Sequence, residues 1–234
     1  MIPLRRSRAS EADLTIATID GSIAARIPAT IRVELQYLIA RLDAHESGIP
    51  DVIGVTSALA GEGVSLVSHG LGAVLNLDAG RDVCIVGTNW WGTWDGVDDL
   101  GPGTAGVLAG EASLAEAILP TRYPKLSLLP AGDMPPISRV LTGSAEAIGN
   151  LLDDLRGEFD NIVVDLPALT SSSVTLAAGA AVDATLLVAR QKKTRLDQVD
   201  AAVEELRHAN LLGIVLNDYS LSMPGFLKHR LLPG

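Results

Sequence analysis

A glycine-rich turn at residues 57–66 joins an apolar segment, 52–55, to a helical pattern that begins near Ser65. In a turn of this kind, backbone N–H groups surround phosphate oxygens, a lysine reaches the outer phosphates, and the following hydroxyl binds Mg²⁺. Gly63 and Ser65 occupy the matching positions, but Val64 stands where the lysine would be. The spacing therefore predicts a phosphate-binding loop that lacks its main positive charge. A tight strand-to-helix turn without a ligand is the alternative.

Two polar side chains elsewhere end apolar runs and could complete a nucleotide site. Asp165 closes the run 161–165, the usual position of a carboxylate that holds Mg²⁺ directly or through water. Asn217 follows the run 213–216, and its side-chain amide suits an adenine edge. We therefore expect weak Mg²⁺ binding at Ser65 and Asp165, although Asp165 could instead be a helix cap or a remnant of a lost site. The expected contacts with ATP or ADP are Gly61, Glu62, Gly63, Val64, Ser65, Leu66, Asp165 and Asn217.

Strands alternate with helices from residue 51 to residue 216. Continuous apolar runs such as 162–164 and 186–188 are typical of strands that are buried on both faces of a parallel sheet. The pattern predicts a doubly wound, mostly parallel α/β fold of the P-loop NTPase type, with ligands at the carboxyl ends of the strands. The predicted strands are 51–56, 82–87, 126–129, 161–165, 183–189 and 211–216. The predicted helices are 28–43, 64–77, 104–109, 113–118, 144–157, 173–180 and 195–208.

Composition restricts the functions that are open to this chain of 234 residues. Hydrophobic residues make up 47% of it, enough for a sizeable core, and its net charge of −10 argues against a nucleic-acid surface. The single cysteine lies in an apolar run, and no apolar run reaches the length of a membrane span, so we expect a cytoplasmic protein. We predict a flexible N-terminal arm at 1–26, one α/β domain at 27–220 and a C-terminal tail at 221–234.

Three tryptophans follow the predicted strand 82–87, at the edge where a ligand is expected. Trp90, Trp91 and Trp94 bring large apolar rings to a region that is polar in a working nucleotide site. They could fill the space of a nucleotide, form a patch for a partner protein, or pack in the core. The sequence leaves these three interpretations open.

Five segments match a known family in order and spacing. They are 52–63 (VIGVTSALAGEG), 106–114 (GVLAGEASL), 128–132 (LLPAG), 159–167 (FDNIVVDLP) and 213–217 (GIVLN). Together they resemble the bacterial tyrosine kinases (BY-kinases) of capsular and exopolysaccharide synthesis, which are relatives of the ParA/MinD ATPases with a deviant phosphate loop. The resemblance covers roughly residues 28–220, and no single motif carries it.

The chain departs from this family at the positions that carry chemistry. Val64 replaces the lysine of the family's phosphate loop. The family's second acidic motif has two aspartates and an arginine, which help to hold Mg²⁺ and to polarise the attacking hydroxyl; the matching residues here are Gly87, Asn89 and Trp91. The family's ring-forming Glu-x-x-Arg-x-x-Arg motif is also altered, and its matching residues are Glu34, Tyr37 and Ala40, with Arg41 one place away. The family's C-terminal tyrosine cluster has no counterpart after Tyr219.

The resemblance and the departures together imply a kinase-like protein that does not catalyse. The family works in the cytoplasm with an inner-membrane polysaccharide co-polymerase, whose cytoplasmic tail docks on the kinase domain, and the resemblance implies the same partner here. A homo-oligomer, or an oligomer with an intact related kinase, is also open. The alternative is an ATP-binding tyrosine autokinase or ATPase with residual activity, which would recruit a cation from Arg190, Lys192, Lys193 or Arg195. A third interpretation is a ParA/MinD-like positioning protein, which Val64 disfavours because that function requires ATP-dependent dimers.

Overall fold

Ten strands and seven α-helices form the part of the chain that the computed structural model describes, which comprises residues 2–5, 13–46, 48–90, 94, 96–134, 144–171 and 174–219. The strands are β1 (Ile2–Arg5), β2 (Leu14–Ala17), β3 (Ile23–Ile27), β4 (Val52–Ser57), β5 (Val83–Gly87), β6 (Leu119–Pro120), β7 (Leu126–Leu129), β8 (Asn161–Asp165), β9 (Ala184–Arg190) and β10 (Leu211–Tyr219). The helices are α1 (Ala29–Asp43), α2 (Val64–Leu77), α3 (Gly103–Leu108), α4 (Leu114–Ala117), α5 (Ala145–Arg156), α6 (Val174–Gly179) and α7 (Leu196–Glu205).

Eight of these strands form one sheet, in the order β1-β10-β9-β4-β8-β5-β7-β6. Every neighbouring pair is parallel except β6 and β7, which run antiparallel at one edge. Strands β4, β5 and β8 are buried along their whole length, and β9 is buried except at its last residue. Continuous burial requires cover on both faces of a sheet, so the doubly wound, mostly parallel α/β fold is confirmed.

Alternate residues of the central strands belong to separate hydrophobic clusters on opposite faces of the sheet. Ile85 of β5 shares its core with Leu35 of α1 and Leu71 of α2. The next residue, Val86, shares the other core with Ile148 of α5. Side chains along a strand point to opposite faces in turn, which is why an uninterrupted apolar run serves both cores.

The N-terminal region differs from the flexible arm that we expected at residues 1–26. Strands β2 and β3 pair as an antiparallel hairpin, and β1 pairs with β10 at one edge of the sheet. Ile16 and Ile27 of the hairpin are fully buried, and Thr18 bridges to Thr121 beside β6, at the other edge. The sequence did not indicate these strands, because strands this short carry little periodic signal and their stability comes from partners that are distant in the sequence.

The remaining predicted elements are present, with bounds that differ from the expected ones by a few residues at most. The carboxyl ends of β4, β5, β8 and β10 lie at one edge of the sheet, so the segments that follow them meet there. The predicted tail at 221–234 lies outside the described residues. Among the helices that are described, none combines the length and the apolar character needed to cross a membrane.

Candidate functional site

The predicted phosphate loop, residues 57–66, connects β4 to the N-terminus of α2. Gly63 caps α2 with φ 100° and ψ 28°, and a Cβ atom there would lie 2.1 Å from Nδ2 of Asn217. Both the backbone conformation and the available space therefore require glycine. The loop borders a cleft of about 170 Å³, whose lining includes Gly61, Gly63, Val64, Ser65, Leu66 and Asn89. Ordinary small-molecule pockets occupy about 300–1,000 Å³, so this cleft is smaller than a typical small-molecule pocket.

Two of the predicted nucleotide contacts, Glu62 and Asn217, hold the loop in its conformation. The Glu62 carboxylate is fully buried and accepts hydrogen bonds from the Leu59 backbone N–H at 3.0 Å and from the Thr194 hydroxyl. The Asn217 side-chain amide donates to the backbone carbonyl of Glu62 at 2.8 Å. These bonds connect the loop to β10 and to the turn after β9. The role of Asn217 at an adenine edge stays a prediction, since its amide N–H contacts the loop here.

Two of the four candidate replacement cations contact the loop, and both contact its carbonyl oxygens. Nζ of Lys193 donates to the Ala60 carbonyl at 2.5 Å. The Arg190 guanidinium donates to the Gly61 carbonyl at 3.3 Å and forms an ion pair with Asp218 at 3.2 Å. The other two candidates are exposed; they are Lys192 and Arg195. The two cationic side chains therefore lie against the loop, but each donates a hydrogen bond to a backbone carbonyl of the loop.

Asp165 ends β8, as predicted, but a tryptophan contacts its carboxylate. The residue is fully buried, and Nε1 of Trp94 donates to its Oδ2 at 2.7 Å. Its backbone carbonyl accepts from the N–H and the hydroxyl of Thr88, each at 3.0 Å. Mg²⁺ binds oxygen ligands at about 2.0–2.1 Å and keeps several waters, which a buried carboxylate in contact with an indole does not fit. The helix-cap alternative also fails, because the next helix of the described chain begins at Val174.

Trp90 and Trp94 lie in the core, so the interpretation as a protein-contact patch is wrong for these two. They are 4% and 6% exposed, and Nε1 of Trp90 donates to the Ala131 carbonyl at 3.2 Å. Trp91 lies outside the described residues. Gly87, where the resemblance expects an aspartate, has little space around it: a Cβ atom would lie 2.8 Å from the Ala131 backbone nitrogen and 3.2 Å from Cζ2 of Trp94. The Trp94 ring therefore packs against the position of an expected carboxylate.

His69 connects the phosphate loop to Trp94, a contact that no sequence pattern indicated. It lies one turn after Ser65 in α2, and Nδ1 is 2.7 Å from the Ser65 carbonyl oxygen. Its ring meets Trp94 edge to face, with the ring centroids 4.4 Å apart. Burial lowers the pKa of His69 to about 4, although the Ser65 carbonyl opposes part of this effect. The imidazole is therefore neutral at pH 7, and Nδ1–H donates to Ser65.

The altered ring motif does not line the cleft. Tyr37, in the altered ring motif, lies on α1 and is 66% exposed. The absence of a tyrosine cluster concerns residues after Tyr219, which lie outside the described part of the chain. Tyr37 therefore belongs to the surface, whereas Gly87, Val64 and Asp165 belong to the site.

Comparisons with known proteins agree with this fold. No protein-family model matches the chain. The tyrosine-protein kinase CpsD of Streptococcus agalactiae serotype Ia is 26% identical over 179 residues, which cover 74% of this chain and 76% of CpsD. The solved VpsO kinase domain is 25% identical with a TM-score of 0.70, covering 81% of this chain and 96% of that domain. The cell-division ATPase MinD of Pyrococcus furiosus is 26% identical with a TM-score of 0.60, covering 78% of this chain and 79% of MinD.

These similarities extend over most of the chain, and the similar proteins include both tyrosine kinases and a MinD ATPase. The parallel sheet and the loop between β4 and α2 are the structural features on which such a nucleotide fold depends. The chain is therefore similar in sequence and fold to bacterial tyrosine kinases and to MinD, which are of the deviant P-loop type.

Proposed function

We propose that this protein is a non-catalytic, kinase-like component of exopolysaccharide or capsular polysaccharide biosynthesis and export. It works in the cytoplasm at the inner membrane, where the cytoplasmic tail of a polysaccharide co-polymerase docks on it. Its relation to the bacterial tyrosine kinases supports the process and the partner. Docking depends on a packed scaffold, whereas catalysis depends on a few charges, so one can persist without the other. A homo-oligomer, or an oligomer with an intact related kinase, is compatible with this role.

The contact between Trp94 and Asp165 is the observation that carries the non-catalytic part of this proposal. Phosphoryl transfer relies on positioning and on neutralisation of charge by metal ions and cationic side chains. Here the Asp165 carboxylate accepts an indole N–H at 2.7 Å, and Val64 stands in place of the lysine. Loss of one electrostatic contact of this kind commonly lowers a rate by about 10²–10³-fold. Two such losses in one site leave little catalytic power, even though their effects need not add.

The second candidate is a residually active ATP-binding tyrosine autokinase or ATPase. The contacts of Lys193 and Arg190 with the loop favour it, since these cations could reorient toward a bound phosphate. Asp165 and Ser65 would then hold a weakly bound Mg²⁺, after Trp94 has moved from the carboxylate. This candidate requires the loop to give up two contacts that stabilise its present conformation.

Incubation of the purified full chain with Mg-ATP separates the two candidates. We expect neither phosphotyrosine nor phosphate release above the level of an Asp165→Ala variant, with a related kinase that retains the lysine as the positive control. Phosphotyrosine that disappears in Asp165→Ala would overturn the non-catalytic proposal. If turnover is found, Lys193→Ala should abolish it, whereas Lys192→Ala, which changes a neighbouring exposed lysine, should not.

Co-purification tests the proposed partner. The tagged full chain should recover a polysaccharide co-polymerase from detergent-solubilised membranes of the native host, and it should leave the membrane fraction when that partner is deleted. Recovery should not depend on added nucleotide, because the proposed docking does not use turnover. A chain that stays in the cytosolic fraction whether or not the co-polymerase is present would contradict this part of the proposal.

A further inference from the structure

A buried carboxylate needs a compensating partner, and in this site that partner includes an indole. Asp165 is fully buried at the end of β8, where a kinase of this family would bring its carboxylate to Mg²⁺. Trp94 is 6% exposed, and its Nε1 lies 2.7 Å from Oδ2 of Asp165. A hydrogen bond to an ionised acceptor is stronger than a neutral one. The indole N–H therefore supplies part of the stabilisation that a cation would give.

We propose that Trp94 takes the position of the divalent cation and that its indole keeps this site closed to metal. Removal of the indole N–H leaves the Asp165 carboxylate without this donor, and a divalent cation then binds to it. Trp94 is thus the residue that excludes metal from the site. The inference rests on the proposed loss of catalysis, to which it assigns a structural cause.

Two neighbouring features hold the indole against the carboxylate. His69 contacts the Trp94 ring edge to face and is itself bonded to the Ser65 carbonyl in the first turn of α2. Gly87 removes the side chain that would compete for this space, because a Cβ atom there would lie 3.2 Å from Cζ2 of Trp94. Gly87, where the resemblance expects an aspartate, is therefore adjacent to the Trp94 ring. A ring enclosed by the loop helix and by β5 has little freedom to leave the carboxylate.

Thermal unfolding with Mn²⁺ as the probe tests this inference without nucleotide. Trp94→Phe keeps an apolar ring and removes the N–H donor to Asp165. We expect its Tm to fall by roughly 5–10 °C without metal, since a hydrogen bond to a charged group is lost in a chain of this size. Millimolar Mn²⁺ should restore most of that loss in Trp94→Phe and should leave the wild-type Tm unchanged. In Trp94→Phe/Asp165→Asn, the effect of Mn²⁺ should disappear.

Trp90→Phe is the matched control, because Trp90 is equally buried but its indole donates to the Ala131 carbonyl, which carries no charge. Its Tm should fall without any recovery in Mn²⁺. The inference is overturned if Mn²⁺ does not raise the Tm of Trp94→Phe, or if it raises the wild-type Tm equally. Neither result bears on the phosphotyrosine assay, so failure here is distinct from failure of the proposed function.

Nuclear magnetic resonance of ¹⁵N-tryptophan in the wild-type chain gives a second test, which does not require the Phe variant to fold. The chain has three tryptophans, so three indole signals are expected. Asp165→Asn should shift the Trp94 indole proton upfield, since a charged acceptor has become neutral. Titration with Mg²⁺ should leave that signal in place. A saturable shift of the wild-type Trp94 signal by Mg²⁺ would show that the indole does not exclude metal.

Discussion

His69 gives this fold a built-in sensitivity to acid. The side chain is 1% exposed, and burial lowers its pKa from 6.5 to about 4. Between these two values the unfolded chain binds a proton at this residue and the folded chain does not, so acid favours unfolding. The stabilisation associated with neutral His69 is complete above about pH 6.5, and it is lost progressively as the pH falls toward 4.

The two pKa values determine how large this loss is. They are 6.5 and about 4, and each pH unit between them corresponds to about 1.4 kcal/mol, which gives a loss of roughly 3 kcal/mol in the free energy of unfolding. A single domain of ordinary stability has about 5–15 kcal/mol in total. The titration of one histidine should therefore be visible in equilibrium unfolding well before the fold is lost.

Urea unfolding of the wild type and of His69→Gln, at several values between about pH 7 and pH 4.5, measures this loss. Gln can keep a hydrogen bond to the Ser65 carbonyl but does not titrate, so the two free energies of unfolding should converge as the pH falls. His208→Gln is the matched control: His208 is exposed, and this variant should follow the wild type. Parallel curves for the wild type and His69→Gln would refute the reasoning, because they would mean that His69 binds a proton equally well in both states.

Three further outcomes follow from other contacts. Gly63→Ala should destabilise the fold by at least about 2 kcal/mol in urea, since φ is 100° and the new Cβ would lie 2.1 Å from Nδ2 of Asn217. Adding Asn217→Ala should recover only part of that loss, because the backbone strain remains. Arg156 donates hydrogen bonds that lower the pKa of Asp183, so Arg156→Leu should lose about 0.5–1 kcal/mol at pH 7. This loss should vanish in thermal unfolding at a pH low enough to protonate Asp183, and a loss that is independent of pH would contradict it. Cys84 is fully buried, which raises the pKa of its thiol, so a thiol reagent should modify it only at the rate of unfolding. Rapid modification of the native protein would contradict that burial.

The scaffold was largely predictable, because its central strands are buried on both faces and therefore read as uninterrupted apolar runs. Strands β4, β5 and β8 were expected within a residue or two of their bounds. The hairpin of β2 and β3, and strand β1, were not expected. Their residues have no periodic pattern, and Ile16 is buried in a core that it shares with residues of α2 and the sheet. Short strands of this kind are stabilised by the fold around them, not by local preference.

The candidate site, like the scaffold, could be predicted from the sequence only in part. The order of residues along the chain was sufficient to locate the phosphate loop, to show that Val64 replaces its lysine, and to place Asp165 at the end of a buried strand. Those features are local, so each can be read from a short segment. The contacts that define the site's chemistry join residues far apart in the chain: Trp94 and Asp165 are separated by 71 positions, and Asn217 and Glu62 by 155. A hydrogen bond depends on distance and direction in space, which sequence spacing does not specify over such separations. The tertiary structure was therefore needed to show that the Trp94 indole, which contacts the His69 ring, donates a hydrogen bond to the Asp165 carboxylate, where the sequence predicted a metal ion.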